Sequence, residues 1–132
     1  MNKLYSNLVF KHFRNPKNLG VIKKPDSQAQ VGNPICGDVM KMYLKIAKKS
    51  QGEEFIKDIK FQTLGCAAAI ATSSMTTETA KGMSLKKALD INKKLIADKL
   101  GGLPKEKLHC SMLAVEALHK AIKNYQNKKG KK

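Results

Sequence analysis

The chain has 132 residues, a length that suits one domain, and 42% of them are hydrophobic, which is enough to form a core. No apolar run approaches the roughly 20 residues that span a bilayer, and the N-terminus has no long apolar segment of the secretory kind. These features argue against a membrane protein and predict a cytoplasmic location in a prokaryote.

The formal net charge of +16 first suggests nucleic acid as a partner. The cations are nearly all Lys in scattered pairs, however, and Arg14 is the single Arg. Base recognition and bidentate phosphate binding favour Arg, and a stacking surface would need aromatic residues among the charges. The composition therefore favours a solvated Lys-rich surface, with acidic partners preferred to nucleic acid.

Apolar spacing predicts a first helix over residues 5–13, followed by an irregular stretch, 21–34, that forms a loop or a short edge strand. Residues 40–46 alternate strictly, which is typical of a half-buried strand. One face carries Met40, Met42, Leu44 and Ile46, and the other carries Lys41, Tyr43 and Lys45. A second alternating run includes Ile59 and Phe61, so the two strands should pair as an antiparallel hairpin.

Helical patterns follow the strands. They predict helices over residues 67–80, 85–91 and 93–100, the second of them capped by Ser84, and a last helix from Pro104 to about Gln126. The apolar stripe of the last helix is Leu108, Met112, Val115, Leu118 and Ile122. Because strands precede helices, the predicted class is α+β. Residues 1–132 should form one domain, with flexible ends at about 1–4 and 127–132.

Three cysteines, Cys36, Cys66 and Cys110, are widely spaced and odd in number, unlike the framework of a small disulfide-rich protein. Each lies at the edge of a predicted element: Cys36 before the first long strand, Cys66 at a helix start and Cys110 near the start of the last helix. Free backbone N–H groups and the positive end of a helix favour thiolate at such positions. Composition alone leaves metal binding, thiol chemistry and simple packing open.

Other candidate ligands lie beside these cysteines. Asp38 is two residues from Cys36, His109 adjoins Cys110, and Lys107 lies about one helical turn before Cys110. The same donors would also suit a zinc site, so a structural or sulfur-transfer regulatory zinc protein is the alternative function. A cysteine hydrolase is disfavoured, because adjacent residues of a helix point about 100° apart and place a nucleophile and its base badly.

Four stretches of the chain resemble the U-type iron–sulfur cluster scaffold family, which comprises IscU proteins and the N-terminal domain of NifU. They are Tyr5-Ser6 with His12, Asn15-Pro16 and Gly20; Gly32-Asn33-Pro34-Ile35-Cys36-Gly37-Asp38-Val39-Met40-Lys41; Gly65-Cys66-Ala67-Ala68-Ala69-Ile70-Ala71-Thr72-Ser73-Ser74; and Lys107-Leu108-His109-Cys110-Ser111. The resemblance extends over nearly the whole chain and implies a small antiparallel sheet of about three strands, packed against several helices.

The resemblance also implies the site and its chemistry. Cys36, Cys66 and Cys110 match the cluster-binding cysteines, Asp38 the fourth ligand, and His109 an alternative ligand, with Lys107 beside the site. The implied function is that of a non-catalytic scaffold and carrier, which receives sulfur from a cysteine desulfurase, assembles a cluster, most simply [2Fe–2S], and transfers it to acceptor apoproteins such as ferredoxin. Thiolates suit iron and sulfide, whereas a carboxylate is a harder, more exchangeable ligand.

The chain departs from the family at Leu103-Pro104-Lys105-Glu106-Lys107, where many bacterial members have Leu-Pro-Pro-Val-Lys. The missing second proline and the added charges disfavour recognition by a dedicated Hsp70 chaperone. A homodimer that shares one bound cluster is an alternative to a monomer. His12 and His119, which have no such neighbours, are interpreted as structural.

Overall fold

The computed structural model describes residues 7–33, 38–64, 67–101 and 108–130. Within these ranges the chain forms five helices and one antiparallel sheet of strand order β1-β2-β3. The strands are β1 (Ser27–Asn33), β2 (Asp38–Lys48) and β3 (Glu54–Leu64), and the helices are α1 (Asn7–Arg14), α2 (Ala67–Ala80), α3 (Leu85–Ala88), α4 (Lys93–Lys99) and α5 (Leu108–Gly130). The predicted α+β class, the three-stranded sheet and the long C-terminal helix are confirmed.

The alternating strands form the predicted hairpin. β2 pairs antiparallel with β3, and the apolar face of the pair is completely buried at Met40, Met42, Leu44, Ile59 and Phe61. The stretch predicted as a loop or short edge strand contains β1, a seven-residue edge strand. Its sequence, Ser-Gln-Ala-Gln-Val-Gly-Asn, buries only small groups, so its strand conformation depends on pairing with β2 and on the helix packed beside it.

A β-bulge interrupts the β2–β3 ladder between Lys45 and Ile46. A bulge disrupts the ladder locally and leaves backbone groups in need of a partner. Here the Ile46 N–H donates to Asp26 Oδ2 at 2.7 Å, and Lys45 Nζ lies 3.9 Å from Asp26 Oδ1. The Ile46 N–H faces the β1 side of β2, so Asp26 continues the pairing of that edge past Ser27 and fixes the entry of the chain into β1.

The segment 21–26 crosses the face of the sheet opposite α2 and α5. It starts at the outer edge of β3, where the Gly20 N–H donates to the Phe61 carbonyl, and it ends where the Asp26 N–H donates to the Leu44 carbonyl. Midway, Lys45 Nζ donates to the Lys24 carbonyl at 3.1 Å. We name residues 21–26 the crossing segment.

Tyr43 differs from its predicted environment. The alternation placed it on the polar face of β2 with Lys41 and Lys45, yet it is only 5% exposed. Its hydroxyl donates to Gln62 Oε1 at 2.8 Å, and its cross-strand neighbours are Gln28 and Lys60. We attribute the burial to these long neighbours and to the crossing segment, which the alternation of a single strand cannot reveal.

The helices follow their predicted bounds with four differences. α4 ends at Lys99, one residue before its predicted end. α3 ends at Ala88 instead of residue 91, because the chain tightens there into bonds from the Asp90 N–H to Lys87 and from the Ile91 N–H to Ala88. α5 continues to Gly130, so the predicted end near Gln126 is wrong; no residue before that glycine is a strong helix breaker. α1 extends to Arg14, one residue past its predicted end, whereas its predicted first residues, and Pro104, lie outside the described ranges.

One cluster of buried apolar side chains joins the helices to the sheet. Ala114, Ala117, Leu118, Ala121 and Ile122 of α5 are fully buried, as are Ile96 of α4 and Ala71 and Ala80 of α2. The many alanines let the helices approach the sheet closely. Among the described residues, no helix is both long and apolar enough to span a bilayer.

Candidate metal centre

Four described residues at or near the candidate ligands lie at one end of the sheet: Asn33, Asp38, Leu64 and Ala67. Asn33, the last residue of β1, pairs with Asp38, the first residue of β2. Val39 pairs with Leu64, the last residue of β3, and α2 begins three residues later at Ala67. Two strand ends, a strand start and a helix start therefore meet at what we call the sheet end.

The direction of α5 brings its first turn to the same place. Lys120 Nζ donates to the Gln30 carbonyl at 3.2 Å, and Asn124 Nδ2 donates to the Gln28 carbonyl at 3.1 Å, so α5 runs antiparallel to β1. Four residues of helix rise about 6 Å and two residues of strand about 6.6 Å, so the spacing of the two contacts matches a helix that runs along β1. Extended along this line, the backbone at Cys110 reaches roughly 5 Å beyond Asn33.

The structure describes the backbone of some of the predicted site residues and not of others. Asp38 begins β2 at the sheet end, and His109 and Cys110 are the second and third residues of α5. Cys36, Cys66 and Lys107 lie outside the described residues. Among the residues that are described, no group of three or more His, Cys, Asp or Glu side chains could hold a metal ion. The complete ligand set thus stays a prediction.

The charge environment at the sheet end favours anionic ligands. The first turns of α2 and α5 contain no acidic residue, so their backbone N–H groups face no competing carboxylate within the helix. Such groups carry partial positive charge and stabilise thiolate nearby. The positive ends of two helices therefore point to the region where the sequence predicts three thiolates.

Buried hydroxyl groups hold α2 in position, a feature that sequence reasoning missed. Thr72, Ser73, Ser74, Thr76 and Thr77 are all completely buried. Several donate back to carbonyls of the same helix, and Ser73 Oγ also lies 3.3 Å from Met40 Sδ in β2. The run of hydroxyls in a helix with no apolar stripe was the signal, because such a helix must be enclosed on more than one side.

His12 attaches α1 to this helix and is structural, as the sequence suggested. It is 6% exposed, and its Nδ1 lies 2.7 Å from Ser74 Oγ, which also accepts from the Lys17 N–H at 2.8 Å. Burial lowers the pKa of His12; Glu78 raises it, and Lys11 and Lys17 lower it further. In the neutral imidazole with its hydrogen on Nε2, Nδ1 can accept the Ser74 hydroxyl hydrogen, completing the chain of bonds.

Acidification is expected to weaken the folded state through His12. Its pKa is lower in the folded than in the unfolded chain, so the unfolded chain binds the proton first. The stabilisation is complete above the unfolded pKa and is lost as pH falls through the folded pKa. Urea unfolding of wild type and His12→Asn at pH 8 and pH 5 measures it, because Asn offers Ser74 an acceptor but does not titrate. An equal pH dependence in both proteins would contradict this assignment.

Comparison with known proteins assigns the family. Residues 4–132 match the profile of the family described as "NifU-like N terminal domain". The chain belongs to this NifU-like family. Two curated relatives are "Iron-sulfur cluster assembly scaffold protein IscU 1" of Archaeoglobus fulgidus, 54% identical over 97% of this chain and 80% of that protein, and IscU of Azotobacter vinelandii, 43% identical over 96% of this chain and 97% of that protein.

Solved structures agree on the NifU-like fold. The N-terminal NifU-like protein from Brucella abortus superposes with a TM-score of 0.68 at 18% identity, over 95% of this chain and 96% of that chain. A SUF-system scaffold from Fervidobacterium islandicum gives a TM-score of 0.65 at 20% identity, over 90% of this chain and 96% of that chain. At these identities the likeness concerns the fold alone.

Proposed function

We propose that this NifU-like chain is a scaffold on which an iron–sulfur cluster is assembled before transfer to other proteins. The observation that carries the proposal is that the end of β1 and the start of β2, the end of β3 and the start of α2, and the start of α5 all lie at the sheet end. Each of these three places contributes one cysteine in sequence. The relatives named as iron–sulfur cluster assembly scaffolds support the same function.

The proposed ligands of the cargo cluster are Cys36, Cys66, Cys110 and Asp38, with His109 as an alternative ligand and Lys107 as an auxiliary cation. Three thiolates hold iron and accept sulfur by exchange with a persulfide. The carboxylate is a harder donor that an incoming thiolate can displace. A [2Fe–2S] cluster is the simplest cargo for four ligands on one chain, and zinc would compete for the same donors.

The proposed partners are a cysteine desulfurase, which supplies sulfur, and acceptor apoproteins such as ferredoxin. The chain itself would have no catalytic role. A reducing compartment such as the cytoplasm would keep the thiols available, and the Leu103-Pro104-Lys105-Glu106-Lys107 stretch still disfavours a dedicated Hsp70. One domain, binding its cluster as a monomer or as a dimer that shares it, is sufficient for this role.

Anaerobic reconstitution tests the function. The protein is incubated with ferrous iron, cysteine, a catalytic amount of a cysteine desulfurase and excess dithiothreitol, which reduces the persulfide sulfur to sulfide, and is then desalted. We expect visible absorption and circular dichroism of a protein-bound cluster, with iron and acid-labile sulfide in equal amounts. A colourless protein that holds zinc and no sulfide under the same conditions would support the zinc alternative instead.

A further inference from the structure

A groove with a basic lining follows the outer edge of β1, between that strand and α5. Two adjoining hollows form it, with volumes of about 320 and 520 Å³, and they share Lys120 and Asn124 on their walls. We call it the β1–α5 groove and define it by Gln30, Lys41, His119, Lys120, Lys123 and Asn124. None of these residues belongs to the proposed cluster ligands.

Lysine side chains outnumber carboxylates among the described residues of the groove walls, so the groove carries net positive charge. Lys41 comes from the helix-free face of β2, and Lys120 and Lys123 come from α5, whereas Glu116 is the one carboxylate among the described residues that line the two hollows. The side-chain ammonium groups of Lys41 and Lys123 make neither a hydrogen bond nor an ion pair with any other described residue. Two ammonium groups therefore border the groove with no described anionic partner.

The edge of β1 does not serve as a template for another strand. The carbonyls of Gln28 and Gln30 point out of the sheet, but Asn124 Nδ2 and Lys120 Nζ already donate to them. Side chains that occupy an edge in this way prevent strand addition. A ligand of the groove is consequently recognised by the side chains on its walls, and their charge selects an anionic group.

His119 provides a second, independent observation. Its ring borders the larger hollow, and its Nε2 atom is buried with no hydrogen-bond partner among the described residues. A buried polar atom without a partner costs free energy and calls for an explanation. A carboxylate oxygen bound in the hollow would offer Nε2–H the acceptor that it lacks, while Lys123 compensates its charge. Val31 supplies an apolar contact in the same hollow.

We propose that the β1–α5 groove binds an acidic polypeptide segment of a partner protein. The two adjoining hollows give room for an extended segment with carboxylates at intervals, and the cations on both walls match these carboxylates. The groove also leads to the sheet end, since Val31 lies two residues before Asn33. A partner held in the groove would thus have one end of its bound segment beside the candidate metal centre. The proposal needs no cluster and can be tested on the apoprotein.

A titration with a fluorescent Glu-rich peptide, against its Gln-rich counterpart, measures the binding. We expect only the Glu-rich peptide to bind, and the double variant Lys41→Gln/Lys123→Gln to weaken its affinity about fivefold or more. The matched control is Lys86→Gln/Lys94→Gln, which removes two exposed charges from α3 and α4 and should change the affinity less than about twofold. An equal loss in both double variants would overturn the groove as the site.

Two further measurements complete the test. On addition of the peptide, the imidazole resonances of His119 should shift, whereas those of His12, buried against α2, should not. A short oligonucleotide of the same charge should compete poorly. If His119 does not respond, or if the oligonucleotide competes as well as the peptide, the groove is not a site for acidic protein segments. Circular dichroism establishes that both double variants are folded.

Discussion

Replacing any one of Cys36, Cys66 and Cys110 by Ala is expected to give a folded protein that retains less than about a tenth of the wild-type iron and sulfide after desalting. A cluster on three thiolates and a carboxylate loses one of its strong ligands in each variant, and water or a second carboxylate in that position is a weaker ligand of cluster iron than a thiolate. Iron and sulfide analysis, together with visible circular dichroism, measures the loss.

Ser111→Ala is the matched control, because it changes the residue next to Cys110 without removing a thiolate. It should retain the cluster. All four variants should show the far-ultraviolet circular dichroism of the wild type, since Ala is close to Cys and Ser in size and adds no polar group. A Cys variant with wild-type iron and sulfide content would remove that cysteine from the ligand set.

Asp38→Ala is expected to act in the opposite direction and to prolong cluster retention. Asp38 begins β2 at the sheet end, two residues from Cys36 in sequence. A carboxylate is a hard, exchangeable donor, so its loss leaves an iron position that His109 can close with a better donor. We expect the transfer of the cluster to an apo-ferredoxin to slow by about threefold or more. Visible circular dichroism, recorded on equally loaded proteins, measures the transfer rate.

Two variants define the role of Asp38 further. Asp58→Ala removes the same charge from β3, away from the sheet end, and should transfer at the wild-type rate. Asp38→Ala/His109→Ala should lose the prolonged retention, because neither the carboxylate nor the imidazole is then present. Transfer from Asp38→Ala at an equal or faster rate than from wild type would show that Asp38 does not control release.

The sequence predicted the elements whose pattern is local. Alternation specified β2 and β3, and the glycines on either side specified α2 at Ala67–Ala80 without error. For β1 the sequence left a loop and a short edge strand as alternatives. The strand has little apolar character of its own, and Ser27 and Ala29 are buried by neighbours that are distant in sequence. The length of α5 was underestimated because a Lys-rich end was equated with fraying.

The site was predictable as a set of residue types, and the β1–α5 groove was not predictable at all. Family resemblance identified Cys36, Asp38, Cys66 and Cys110 as candidate ligands. The groove depends on Gln30 and Lys120, which are 90 residues apart and come together only when α5 packs beside β1. The same holds for Tyr43, whose burial requires the crossing segment. Periodicity reports which face of an element is apolar, but not which distant segment covers the other face.

The crossing segment has a consequence for synthesis on the ribosome. The residues around it emerge early, yet their partners emerge late: Gly20 binds the Phe61 carbonyl, His12 pairs with Ser74, and Ser27 Oγ donates to the Ala121 carbonyl. Contacts of such long sequence separation form slowly, because a large loop has to close first. Ser27 of β1 therefore gains its partner only after α5 has left the exit tunnel, and the five lysines among the first 33 residues help to keep this part of the nascent chain from aggregating meanwhile.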